Sequence, residues 1–167
     1  AQHAQKITQP CEVAGRFYPA SDLDWYSFDA KKGEVLWLEV ISHRLGLPTD
    51  PSLAIFRVTK NDKGEETLAD VAQVDDPADR NTKMGTDYDF STDDPSYKFT
   101  APDDGTYRVM VRDQFGTGRK DPRMAYRLVV RPPQPDFALI AQPTGVSPGA
   151  KNNQQQQASV TAPVIRK

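Results

Sequence analysis

The sequence predicts an all-β fold, a jelly-roll-like antiparallel sandwich of about eight strands. Short segments alternate polar and apolar residues, as half-buried strands do. Turn-forming residues recur between these segments at a spacing typical of sandwiches and barrels. No window shows a 3.6-residue apolar period, and most of the 14 prolines lie between the strand candidates, which disfavours long helices.

The first half of the chain contains four strand candidates. Residues 12–17 alternate cleanly, and residues 24–30 form a second candidate that is rich in aromatic side chains. A polar turn leads to residues 35–41, whose nearly continuous apolar character is typical of a strand covered on both faces or close to it. Residues 52–58 form the fourth candidate, and the Asn-Asp-Lys-Gly sequence at 61–64 predicts a hairpin turn after it.

The second half contains four more candidates and a long gap. Residues 67–74 form a weaker strand, and the acidic, polar stretch 75–95 predicts a long loop. After a Pro-Asp-Asp-Gly turn, the last strands alternate apolar and polar residues. The predicted strands of this half are 67–74, 97–99, 106–112 and 125–131. Their inward-facing residues and those of the first half predict a core of Phe17, Phe28, Leu36, Leu38, Val40, Leu53, Ile55, Phe99, Tyr107, Val109, Val111, Tyr126 and Leu128.

The domain boundaries follow from composition. Residues 1–10 are polar and end at Pro10, which indicates an N-terminal linker or a weak first strand. Residues 11–133 form the predicted sandwich. Residues 134–167 are rich in Pro and Gln and predict a disordered linker, because such a segment buries too little apolar surface to offset its chain entropy. The apolar residues 160–165 indicate the start of a following domain.

The charge balance excludes several function classes. Lys and Arg number 21 against 23 Asp and Glu, a net charge of -2, and no basic run supplies a local field for nucleic acid. No apolar stretch approaches the roughly 20 residues that cross a bilayer, so we expect no membrane insertion. The chain starts at Ala1 without a signal sequence, and we expect it to be a piece of a longer, exported protein.

The sequence offers little for catalysis. Cys11 is the only cysteine, and His3 and His43 are the only histidines. A nucleophile and base pair would require Cys11 to meet His43, whereas we expect a half-buried thiol at a strand edge and a surface imidazole. No phosphate-binding loop, zinc motif or EF-hand pattern is present. We therefore predict that the domain is not an enzyme.

Calcium is the candidate cofactor, because clustered carboxylates on loops are the ligands that this ion takes. Asp22 and Asp24 enter the second strand, and Asp75 and Asp76 follow the weaker strand. These four residues are the predicted metal ligands. Other nearby carboxylates are Asp79 in the second cluster and Asp87, Asp89, Asp93 and Asp94 in a third. The alternative is that these residues form turns by bonding backbone N–H groups.

Four aromatic residues offer a second kind of site. Tyr18, Trp25, Trp37 and Tyr88 are candidates for a flat platform that binds a polysaccharide or a protein strand. Trp25 and Trp37 alternate out of phase with the core residues of their strands, so both face away from the core. We favour packing against a neighbouring domain over glycan binding.

Several motifs, taken in order, carry a family resemblance. Gly15-Arg16-Phe17, the segment 22–28, and Phe99 to Tyr107 with its Pro-Asp-Asp-Gly turn resemble the bacterial pre-peptidase C-terminal domain. The resemblance covers about residues 10 to 131, and the flanking segments are similar to planctomycete versions. It implies a jelly-roll-like sandwich that accompanies peptidases and other exported proteins. Relatives include the collagen-binding domains of clostridial collagenases, some of which bind calcium, and the Asp24-x-Tyr26 element resembles those calcium binders.

These observations predict a non-catalytic accessory, binding or spacer module of an exported multidomain bacterial protein. Its expected location is extracellular, at the cell surface or periplasmic. Its expected partners are the neighbouring domains of the same chain and an extracellular polysaccharide or protein. Two alternatives stay open: a calcium-dependent module that binds collagen-like or polysaccharide ligands, and a helper for the folding or secretion of an attached peptidase.

Overall fold

The computed structural model describes residues 3–76, 91–118 and 121–135, together with the backbone of short strands at 83–84, 88–89, 137–139 and 164–166. The chain forms two compact units, Ala1–Pro133 and Gln134–Lys167. The second unit, predicted from sequence to be a linker, contains an antiparallel pair of strands, Phe137–Leu139 and Val164–Arg166. The other residues of that segment beyond 135 lie outside the described part.

The first unit is a two-layer β-sandwich. The strands are β1 (Gln5–Lys6), β2 (Cys11–Arg16), β3 (Asp24–Ala30), β4 (Val35–Ile41), β5 (Pro51–Lys60), β6 (Glu66–Val74), β7 (Lys83–Met84), β8 (Tyr88–Asp89), β9 (Ser96–Thr100), β10 (Gly105–Asp113) and β11 (Ala125–Arg131). One sheet has five strands in the order β1-β3-β10-β5-β6, and the other has four in the order β2-β11-β4-β9. Strand β1 runs parallel to β3, and the other pairs in these sheets are antiparallel.

The eight predicted strands correspond to β2–β6 and β9–β11, and the all-β sandwich is confirmed. The chain crosses between the sheets at almost every connection, so consecutive strands face each other across the core. Strands β7 and β8 form a short antiparallel pair inside the stretch that we predicted to be a long loop. Among the described residues the only helical element is a single 3-10 turn, His43–Leu45, which ends at Gly46 in the left-handed region.

The core lies between the two sheets. Every residue predicted for the core is buried. All of them except Phe17, which directly follows β2, occupy inward positions of alternating strands. Three rings form its centre: Phe99 and Tyr107 have centroids 5.0 Å apart, and each lies 5.9 Å from Phe28. Other buried residues complete this layer, namely Ile7, Tyr26, Ala30, Ala101, Met124 and Val130.

The structure decides between the alternatives that the sequence left open for two elements. Strand β4 alternates strictly, with Leu36, Leu38 and Val40 buried and its other side chains half-buried, so only one of its faces is fully covered. The N-terminal segment, expected to be a linker or a weak strand, belongs to the sandwich. Its strand β1 pairs with β3, and Ile7 is buried and donates its N–H to the Ser27 carbonyl at 2.9 Å.

The longer connections gather at one end of the sandwich, which we call the loop end. It comprises residues 17–23, 42–50 and 114–118, which are joined by backbone hydrogen bonds from Ser21 to Gly116 at 3.1 Å and from Gln114 to Asp50 at 2.8 Å. The opposite end carries the tight connections 31–34, 61–65 and 101–104. No helix in the described residues is long and apolar enough to cross a membrane.

Candidate functional site

The most elaborate polar arrangement in the interior joins the two sheets. Tyr126 projects from β11 across the core, and its hydroxyl lies 2.6 Å from the hydroxyl of Tyr26 on β3. The Tyr126 hydroxyl also donates a 2.5 Å hydrogen bond to the carboxylate of Asp24, on the same strand. Because the one proton of Tyr126 goes to Asp24, Tyr26 must donate to Tyr126. The result is a hydrogen-bond chain from Tyr26 through Tyr126 to Asp24.

Glycine at position 15 makes room for this arrangement. Gly15 lies directly opposite Tyr126 in the β2–β11 pair. A Cβ atom at this position would lie 2.3 Å from the Tyr126 ring, closer than any side chain tolerates. Phe17 stacks on the other part of the ring, with centroids 4.7 Å apart. The position of the Tyr126 ring therefore requires glycine at position 15, and the stacked Phe17 ring packs against it.

The surroundings of this hydrogen-bond chain oppose the ionisation of Asp24, Tyr26 and Tyr126. Burial raises the pKa of Asp24, and the nearby Asp22 charge raises it further, while the hydrogen bond from Tyr126 opposes both. Burial is also the main cause that raises the pKa values of Tyr26 and Tyr126, well above the ordinary range for Tyr126. The phenols therefore stay protonated at physiological pH. The arrangement connects the two sheets through buried polar groups.

The predicted metal residues fall in two places. Asp22 and Asp24 are close together at the entrance of β3, where the Asp22 carboxylate accepts the Leu23 N–H at 3.0 Å. Asp75 and Asp76 follow β6, and Asp75 accepts a bond from the Gln114 side chain at 2.9 Å. Strands β10 and β5 separate β3 from β6, so the two pairs are roughly 14 Å apart across the sheet.

The two pairs therefore do not share one site. In the part of the chain that the structure describes, no group of three or more His, Cys, Asp or Glu residues is placed to hold an ion. Asp79 and Asp87 lie outside the described residues, and Asp89 is described only by its backbone. Calcium binding by Asp22, Asp24, Asp75 and Asp76 stays a prediction.

Asp94, which the sequence grouped with the third acidic cluster, has an internal role. Its buried carboxylate accepts the N–H groups of Ser42, His43 and Arg44 at 2.8, 2.6 and 3.0 Å. It also accepts the Arg44 Nε–H at 2.8 Å, and Arg44 reaches Glu39 at 2.8 Å. Burial works against the Arg44 charge, but these two carboxylates raise the pKa of Arg44 overall. Asp94 thus fixes the 3-10 turn to the segment before β9.

Cys11 and His43 lie far apart. Cys11 pairs with Val130 near one end of β11, whereas Ser42, next to His43, bonds the Ala125 carbonyl at the other end, at 2.8 Å. Five residues of strand separate these points, which is about 17 Å. Burial raises the pKa of the Cys11 thiol, which lowers its reactivity. These two residues cannot form a nucleophile and base pair.

The aromatic residues do not form one platform. Trp25 lies on the outer face of the five-stranded sheet, with its ring 5.5 Å from that of Phe56. Trp37 lies on the outer face of the four-stranded sheet. The two indoles therefore face opposite directions. Tyr18 is 49% exposed at the loop end, and Tyr88 is described only by its backbone.

The fold and the site together define a β-sandwich whose internal polar groups hold the structure together. A family model described as the bacterial pre-peptidase C-terminal domain matches residues 22–113. The chain belongs to this family. No curated protein sequence matches the chain.

Solved structures with low sequence identity have a similar fold. The surface-associated copper-binding protein CorA of Methylomicrobium album BG8 is 13% identical, with a TM-score of 0.51 over 78% of this chain and 98% of that one. The pre-peptidase C-terminal domain of a Bacillus anthracis collagenase is 15% identical, with a TM-score of 0.48 over 77% and 95% of the two chains. Aeromonas hydrophila PliG, a periplasmic inhibitor of g-type lysozyme, is 13% identical, with a TM-score of 0.48 over 77% and 94%.

The raised pKa of Asp24 predicts a specific pH dependence of stability. A carboxyl group whose folded-state pKa is raised stabilises the fold at low pH, and this contribution is lost as the pH rises from 3.8 through the raised value. Asp24→Asn removes the titration. The advantage of the wild type over Asp24→Asn in free energy of unfolding should therefore shrink as the pH rises above 3.8, measured by urea denaturation.

The control is Asp62→Asn, because Asp62 is exposed in the β5–β6 turn. The difference in free energy of unfolding between Asp62→Asn and the wild type should change less across the same pH range. An identical pH dependence of the unfolding free energy for the two variants would show that the surroundings of Asp24 do not destabilise its charged form.

Proposed function

We propose that this domain is a non-catalytic accessory module that spaces or contacts neighbouring domains in an exported multidomain bacterial protein. The path of the chain is the observation that carries the proposal. Strand β1 pairs with β3 at Tyr26 and Ser27, so the residues before Gln5 approach from the loop end. Strand β11 starts at the loop end and finishes at Arg131 at the opposite end. The chain thus enters at one end and leaves at the other.

A domain whose chain enters at one end and leaves at the other separates the segment that precedes it from the segment that follows it. The seven residues of β11 alone span roughly 20 Å. The hydrogen bonds of Tyr126 and Asp94 favour a rigid sandwich, because they join its two sheets and fix the 3-10 turn. Two further observations support the proposal: the family membership, and the distance between Cys11 and His43.

The loop end has the character of a contact surface. The large hydrophobic residues that are most exposed among the described residues all lie on its loops. Their exposed fractions are 49% for Tyr18, 48% for Leu23, 47% for Leu45 and 58% for Phe115. Exposed apolar side chains grouped at one end favour packing against another protein surface. A domain that precedes this one in the chain would lie on this side.

The family supports export, because its members accompany bacterial peptidases. An extracellular, cell-surface or periplasmic location is therefore part of the proposal. Assistance to the folding or secretion of an attached peptidase stays a prediction, because it concerns the neighbouring domain.

Spin-label distances test the spacer geometry. We expect labels at His3→Cys and Pro133→Cys, in a Cys11→Ser background, to show a narrow distance distribution at roughly 20–30 Å, because a rigid sandwich separates them. The measurement is pulsed electron–electron double resonance on the full chain. A control pair at His3→Cys and Leu23→Cys, both at the loop end, should give a shorter distance. A broad distribution or equal distances for the two pairs would contradict a spacer role.

Calcium-dependent binding is the second candidate function. The observation in its favour is the proximity of Asp22 and Asp24 at the entrance of β3, where the Asp22 charge contributes to raising the pKa of Asp24. A divalent cation placed between them would relieve this repulsion. Two carboxylates are fewer than the six to eight oxygens that Ca²⁺ takes, so backbone carbonyls of the loop end and water would have to complete the site.

Calorimetry and thermal unfolding test this candidate. We expect that adding CaCl₂ to chelator-treated protein raises the melting temperature and releases or absorbs heat, because the ion binds the folded form only. Asp22→Asn should abolish both effects, and Asp62→Asn, in an exposed turn, should preserve them. Absence of heat and of a melting shift in the wild type would remove the calcium proposal.

A further inference from the structure

The outer face of the four-stranded sheet has an excess of positive charge. The inward residues of β2, β4, β9 and β11 pack in or against the core, so the alternate residues face outward. We call this surface the cationic face. It presents Trp37 and Ile41, the carboxylates Glu12 and Glu39, and the cations Arg16, Lys98, Arg127 and Arg131.

The strand register places one indole between two cations. Trp37 on β4 is directly opposite Arg131 on β11 and directly opposite Lys98 on β9. These three residues form a row across adjacent strands, so each cation starts about 5 Å from the tryptophan and the two cations start about 10 Å from each other. Sequence alone does not bring them together, because they come from three separate segments.

The carboxylates of the cationic face are already neutralised. Glu12 forms an ion pair with Arg127, and Glu39 pairs with Arg44 at 2.8 Å. Lys98 and Arg131, in contrast, form no ion pair with any residue that the structure describes. Arg16, at the other end of this face, also forms no ion pair with a described residue. Lys98 and Arg131 are therefore the available charges beside Trp37, although the chain as a whole carries a net charge of -2.

Packing alone explains part of this arrangement. Long basic side chains cover aromatic rings with their aliphatic stems, and Trp37 is half-buried. The charged ends still require solvent or a counter-charge, and Lys98 is exposed. The register places one basic side chain on each side of the indole.

We propose that the cationic face binds an anionic polysaccharide of the uronate class. The indole of Trp37 would stack on the C–H face of one sugar ring, while Lys98 and Arg131 pair with carboxylates of the sugars on either side. An open sheet face accommodates an extended polymer, which needs no enclosing cleft. This inference rests on the proposed function only for its binding role, and the spin-label distances test the spacer role independently.

Single-stranded nucleic acid is the competing ligand, because indoles stack on bases and cations bind phosphates. Three uncompensated cations, of which only Lys98 and Arg131 flank the indole, disfavour it, since binding to nucleic acid scales with the number of phosphates neutralised. Carboxylates spaced along a sugar polymer require only the two charges that this row supplies.

Affinity electrophoresis of the full chain in gels containing polygalacturonate tests the proposal. We expect retardation by polygalacturonate, weakening as the ionic strength rises from about 0.01 to about 1 M, and none by neutral dextran. Trp37→Ala should weaken binding about tenfold or more, and the double variant Lys98→Gln/Arg131→Gln should abolish it. Trp25→Ala is the matched control, because it removes an indole from the opposite face, and its binding should equal that of the wild type.

Circular dichroism confirms that each variant is folded, and Trp37→Phe, which keeps an aromatic ring, replaces Trp37→Ala if the latter unfolds. Failure of the wild type to bind polygalacturonate would overturn the proposal. So would equal losses from Trp25→Ala and Trp37→Ala, or tighter binding to a single-stranded oligonucleotide in the same assay.

Discussion

The sandwich depends on the hydrogen bonds that Tyr126 makes across its interior. This residue belongs to the four-stranded sheet, and its partners Tyr26 and Asp24 belong to the five-stranded sheet. A buried phenol or carboxylate without a partner costs about 1–3 kcal/mol, so any shift of one sheet against the other is penalised. The absent side chain at Gly15 lets the ring reach its partners. Apolar packing brings the sheets together, and the hydrogen-bond chain from Tyr26 through Tyr126 to Asp24 fixes their alignment.

The fixed alignment produces the functional geometry. The longer loops, with the exposed Tyr18 and Phe115, lie at one end of the sandwich, and β11 ends with Arg131 at the other end. The same alignment sets Trp25 and Trp37 on opposite outer faces. A spacer needs its two points of attachment at opposite ends of the sandwich. A binding module needs an open face with its own charge pattern. The same two sheets supply both, so the two roles are compatible in one domain.

Alternating patterns predicted the strands and the core, because alternation is a local property of a half-buried strand. Longer-range contacts were not predictable. Tyr26 looked like part of an acidic loop site, yet it is a core residue whose partner lies 100 positions away. Asp94 looked like one member of an acidic cluster, yet it holds the turn at Ser42, 52 positions earlier. The parallel strand at Gln5–Lys6 is two residues long, too short for any periodic signal.

A double-mutant cycle between Tyr26→Phe and Tyr126→Phe tests the central claim most directly. Each single variant leaves a buried polar atom without its partner, so the account predicts that the double variant loses less unfolding free energy than the sum of the two single losses. The expected coupling is about 1 kcal/mol, measured by urea denaturation at neutral pH. Losses that add to within about 0.3 kcal/mol would show that the two hydroxyls act independently and that the sheets are aligned by apolar packing alone.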